Sequence, residues 1–187
     1  MKKLVLAVLA LFCIGALQAQ KIKGDVSCLK NQKQVNVIFN YTGVTYDGDS
    51  EAKFFKEEDA AKNADWKAAW TTSFRTENWQ PRLLEDLNKE IKNHDIEFGE
   101  FPDAAYTMVV KLSDIDPGSF AGPMSQPTKI TGMVSFMKTG SKSAFATAEL
   151  KKVTGNPYFM TPKTELRVAE AFSSIGEAIG KQINKIK

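Results

Sequence analysis

Histidine is all but missing from this chain. His94 is the only one, and there are just two cysteines among 187 residues. A zinc centre, or a Ser/His/Asp or Cys/His triad, would therefore have to be built on His94. No second histidine, cysteine or recognisable nucleophile motif stands near it. A lone imidazole at the expected end of a helix fits the negative pole of the helix dipole instead. Cys13 lies in the N-terminal apolar run, so beyond that run only Cys28 remains and no internal disulfide is expected. The fold must stand on its core alone, with Cys28 read as a small buried hydrophobe. A glycine-rich phosphate loop and a dinucleotide fingerprint are both absent, and no cofactor or metal is expected.

A second long apolar run is also lacking. The chain opens MKKLVLAVLALFCIGALQAQ, with Lys2 and Lys3 before an apolar stretch from Leu4 to Leu17 and a small, polar exit at Gln18, Ala19 and Gln20. That is the pattern of a cleaved export signal, residues 1–19, leaving 20–187 as a single domain. The run is shorter than the roughly 20 residues that span a bilayer, so no transmembrane span is expected after cleavage. Lipidation at Cys13 would want a small residue before it, and Phe12 is bulky. Export places the protein in the periplasm or outside the cell.

Charge of one sign is missing too. Without Lys2 and Lys3 the 25 basic residues become 23, against 22 acidic ones. A near-neutral chain with interspersed signs has no footprint for nucleic acid.

What the chain does have is an aromatic helix. Asp65–Asn93 holds all three tryptophans. Trp66, Trp70 and Phe74 recur every four residues, and Leu83, Leu84, Leu87 and Ile91 resume the stripe beyond Pro81. Proline cannot donate its backbone hydrogen bond, so two helical segments are expected, meeting between Thr76 and Trp79. So much aromatic area needs a partner, and a sheet is the expected one. A shorter helix, starting at Ser50–Glu51 and running to about Lys62, precedes it.

Strands read by alternation. Val35, Val37 and Phe39 share one face; Tyr106, Met108, Val110 and Leu112 share another. Asp25–Leu29 is a weaker strand reading. Lys129–Lys138 and Ser143–Val153 are joined by TGSK, a tight hairpin turn. Leu166, Ala169, Phe172, Ile175, Ile179, Ile183 and Ile186 form one stripe of a last helix. Gly176 and Gly180, one turn apart on it, invite close packing on a small-residue sheet face or a neighbouring helix. The expected fold is α+β: a two-layer sandwich, a mainly antiparallel sheet of four to five strands with helices on one face.

Asp47, Asp49, Glu51 and Glu58 have some of the spacing of a calcium loop, but Ala52 stands where the loop needs glycine. Asp114 and Asp116 repeat the pattern, with Ser125 in place of the closing glutamate. Helix capping and turn formation are the favoured readings there.

The tryptophan helix, the YTMVVKL strand, the IDPGSFAGP loop, the strands ITGMVSFMK and SAFATAELKKV, and the RVAEAFSSIGEAIGKQI helix together resemble small uncharacterised exported proteins of Bacteroidetes. They are also similar to the compact α/β domains of bacterial envelope assembly factors. The resemblance implies residence in the envelope and an interaction role, and brings no site residues with it.

Three functions follow as expectations. The first is a non-catalytic binding or adaptor domain with an envelope protein as partner. Its surface is drawn from apolar residues in segments that otherwise read as loops: Phe120, Met124, Tyr158, Phe159 and Met160. The second is a carrier of small apolar ligands with a pocket around Trp66, Trp70 and Tyr106. The third is a hydrolase working through paired carboxylates; enzymes are the less favoured class.

Overall fold

The computed structural model describes residues 21–58, 64–156 and 161–186. Its strands are β1 (Lys23–Gly24), β2 (Gln34–Asn40), β3 (Thr45–Tyr46), β4 (Asp49–Ser50), β5 (Glu97–Gly99), β6 (Tyr106–Asp116), β7 (Lys129–Lys138) and β8 (Ala144–Thr154). Its α-helices are α1 (Glu51–Glu58), α2 (Ala64–Thr71), α3 (Gln80–Glu90) and α4 (Thr164–Ile183). The α+β class is as expected.

The sheet is larger than expected and mixed. Its eight strands run β1-β8-β7-β6-β2-β5, with the β3–β4 hairpin attached through β3 to β6. β6, β7 and β8 form the anticipated antiparallel meander. However, β2 lies parallel to both β6 and β5, and β3 is parallel to β6. The physical reason is the helical insertion. A long helical crossover leaves β2 and returns the chain to lay β5 and β6 on either side of it, which parallel pairing requires. β5 is three residues long and β1 two, too short to show a period. Around Asp25, β1 gives way to a short 3-10 turn over Ser27–Leu29 in place of a strand.

One face of the sheet is the core. Val35, Met108, Val110, Val134, Ala146, Ala148 and Leu150 are all buried, in register across four strands. The other face carries Ile38, Lys111 and Met133 exposed.

The helical region does not break at Pro81. Phe74–Trp79 winds as a π-helical turn directly into α3, with the proline in the first turn of α3, and Asn78 caps nothing. A π turn shifts the bonding pattern, so the amide that Pro81 lacks is not missed.

The helix α4 packs principally on α3. A Cβ on Gly176 would come within 2.2 Å of the Leu83 carbonyl oxygen, and one on Gly180 within 2.5 Å of that of Leu87. Glycine therefore lets two helix backbones touch, and the helical neighbour is the surface it meets.

Trp66, Trp70 and Phe74 do share one face, with ring centroids 4.8 to 6.5 Å apart. Their main partners are other aromatics. Trp70 packs edge-on against Trp79 at 4.9 Å and beside Phe54 at 5.3 Å and Tyr46 at 5.7 Å. Trp79 then stacks on Phe172 of α4 at 5.8 Å, and its indole N–H donates to the Glu165 carbonyl. This column of rings joins the β3–β4 hairpin to α4.

Candidate functional site

The loop between β6 and β7 has a rigid stem and an apolar tip. Gly118 takes a φ of 67°, and a Cβ there would strike the Gln126 carbonyl oxygen at 2.3 Å, so only glycine lets the two arms close. Ser119 and Gln126 then exchange both backbone hydrogen bonds at 3.0 Å. Asp116 clamps the base: one oxygen accepts from the Gly118 amide at 2.9 Å, the other from Lys129 at 2.8 Å. The buried Thr128 donates its hydroxyl to the Pro117 carbonyl, 2.9 Å away. Near the tip, the Ser125 hydroxyl accepts from the Ala121 amide and donates to the Gly122 carbonyl.

Arg167 of α4 ties this stem to the body. It is buried, donating to the Thr161 carbonyl at 2.6 Å and to the Gly118 carbonyl at 3.4 Å. Within a stem so fully hydrogen-bonded, Phe120 is 48% exposed and Met124 78%. They are two of the four large hydrophobic residues exposed among the described residues. Tyr158, Phe159 and Met160 lie outside the described residues.

The three residues of the expected pocket are not brought together. Trp70 is fully buried between rings, and Trp66 leans on it. Tyr106 meets Phe145 edge-on at 5.7 Å, at the opposite end of β6 from the point where β3 brings in Tyr46. Eight residues of strand, roughly 26 Å, separate those ends.

A polar cluster that the sequence reading missed flanks the ring column. The Arg75 guanidinium donates to the Tyr46 hydroxyl at 2.8 Å and to Glu51 at 2.6 Å. Its carbon lies 4.4 Å from the centre of the Tyr41 ring. Tyr46 donates to the same Glu51 oxygen at 3.1 Å. Burial raises the pKa of both tyrosines, and the neighbouring Arg75 opposes the rise. Two tyrosines in a glycine-rich turn beside an aromatic helix were the available signal. A tyrosine drawn into a ring column needs a partner for its hydroxyl.

The carboxylates are engaged in structure. Asp49 pairs with Lys53 at 2.7 Å and Glu51 with Arg75. Asp114 accepts from the Thr45 hydroxyl and the Gly48 amide, holding the β3–β4 hairpin to β6. Two carboxylates do face each other between α3 and α4. Asp86, buried, accepts from Ser173 at 2.6 Å and sits 3.4 Å from Arg82, which also reaches Glu170 at 3.7 Å. Burial pushes the Glu170 carboxyl up, Arg82 pulls it down, and Asp86 adds to the rise. With Ser173 of α4 and Arg82 of α3 both on its Oδ2, Asp86 acts as an interhelical clamp. His94 lies in the turn after α3, its Nε2 buried without a partner among the described residues. Among those residues no three His, Cys, Asp or Glu gather closely enough to hold a metal, and no helix is long and apolar enough to cross a membrane.

No family model matches the chain, and no curated protein does. Among solved structures the chain is similar to PelC from Paraburkholderia phytofirmans, described as a dodecamer. The identity is 7%, over 83% of this chain and 97% of that one, with a TM-score of 0.37.

Proposed function

We propose that this is an exported protein of the cell envelope that works as a non-catalytic binding or adaptor domain, with the tip of the β6–β7 loop as its contact surface. The observation behind it is the contrast between stem and tip. Hydrogen bonds of Asp116, Gly118, Ser119, Ala121, Ser125, Gln126 and Thr128 with one another and with their neighbours fix the loop. Phe120, half exposed, and Met124, largely exposed, then stand four residues apart at one loop tip, the kind of apolar surface that marks an interaction site. A preformed apolar knob loses little conformational entropy on docking, the condition under which a small patch binds well. The leader-like N-terminus supports the envelope as the setting.

Affinity capture from envelope extracts tests it. The partner recovered with the unaltered chain is expected to be lost with Phe120→Ser and Met124→Ser combined. Recovery of the same partner in equal amount by the double variant contradicts the assignment.

A further inference from the structure

The segment before β2 and the end of α4 flank an open groove of about 780 Å³. That lies within the usual range for a small-ligand site. Its two sides are fastened together: the Ile22 amide donates to the Gln182 side chain at 2.6 Å, and β1 pairs with β8. Ile22, Val26, Ala178 and Ile186 give it an apolar lining.

Three ammonium groups, Lys21, Lys181 and Lys185, stand around that lining. Two of them sit in and just beyond the last turn of α4, whose dipole accounts for cations there. It does not account for Lys21, which comes from a different segment and faces the same groove. Two acids also stand here, Asp25 in the lining and Glu177 on α4. Both oxygens of Asp25 accept from Ser27, at 2.8 and 2.9 Å, and Glu177 pairs with Lys181 at 2.8 Å. Lys21 and Lys185 have no acidic partner among the described residues.

Three cations against two acids leave the rim of this apolar trough one positive charge in excess, the complement of an amphiphile carrying one anionic head. We infer that this groove binds a free single-chain anionic amphiphile, a carboxylate or phosphate head on a hydrocarbon tail. The tail lies against Ile22, Val26, Ala178 and Ile186, and the head meets Lys21 and Lys185. The groove is open to solvent along its length but narrow between two segments, so it takes a single chain lying along it. It shares no residue with the β6–β7 loop, so either assignment can fail without the other.

The test is titration of the isotopically labelled full chain with octanoate and dodecanoate, and separately with vesicles of mixed zwitterionic and anionic phospholipid, followed by amide shifts. Dodecanoate is expected to move the Ile22, Val26 and Ile186 amides saturably. It should bind more tightly than octanoate, by about fourfold for each added methylene that enters the groove. Lys21→Gln with Lys185→Gln should weaken binding about tenfold, since both are exposed and their replacement leaves the fold intact. Vesicles should produce no shifts. Absence of saturable shifts, equal binding of the two acids, unchanged affinity in the double variant, shifts centred on residues 21–27 or 178–186 with vesicles alone, or shifts centred elsewhere would each overturn the inference.

Discussion

Gly176 lies so close to Leu83 that a methyl group added to it would meet the Leu83 carbonyl oxygen at 2.2 Å. The obstacle is backbone, and cannot swing aside as a flexible side chain would. Gly176→Ala should therefore lower stability by about 1–3 kcal/mol, the cost of an overpacked interior. Urea unfolding checks it, with the midpoint falling and the slope unchanged. Gly180→Ala should act in the same direction, its obstruction being the Leu87 carbonyl at 2.5 Å.

The same helix pair holds a buried polar contact. Ser173→Ala removes the hydroxyl that donates to Asp86. The buried Oδ2 then keeps only Arg82, 3.4 Å away, and a loss of about 1–3 kcal/mol is expected. Thermal and urea unfolding of the variant measure it.

Tyr41 and Tyr46 make stability fall in alkali. Burial raises both hydroxyl pKa values in the folded chain, while in the unfolded chain they titrate near 10. Below that pH both states keep the proton and the contribution is complete. Above it the unfolded state loses protons first, so stability drops as pH rises toward the folded values. Unfolding midpoints taken from pH about 9 upward should decline, and replacing both tyrosines with phenylalanine should flatten the decline.

The rows of apolar residues were legible: β2, β6, β7, β8 and the stripe of α4 all follow their periods. What stayed hidden has physical causes. β1, β3, β4 and β5 are two or three residues each, too few to show alternation. The parallel pairing of β2 depends on where the chain returns after a long helical excursion, which no local pattern records. The π turn at Phe74–Trp79 merges two expected helices because it absorbs Pro81 in a way that simple helix-breaking rules do not anticipate. On the candidate surface, Phe120 and Met124 were visible as apolar residues in a loop, but the hydrogen bonds that hold them out were not. The Arg75 cluster escaped because its members come from three separate segments.

The loop separates shape from stickiness. Phe120→Ser and Met124→Ser change exposed side chains, so each should shift stability by less than about 0.5 kcal/mol. Gly118→Ala leaves the tip chemistry untouched but places a Cβ against Gln126 in a backbone region where alanine is strained. It should therefore weaken partner capture while retaining both apolar side chains. Calorimetric unfolding and the capture assay, run side by side, distinguish the two effects.

Site-specific photocrosslinking in the native cell tests the central claim most directly. The photoreactive group replaces Phe120 in one strain and, as a control, the exposed Lys142 of the β7–β8 turn in another. A discrete crosslinked product from position 120, lost when Met124→Ser is added and not seen from position 142, is the predicted result. No product from position 120, or the same products from both positions, would contradict the account.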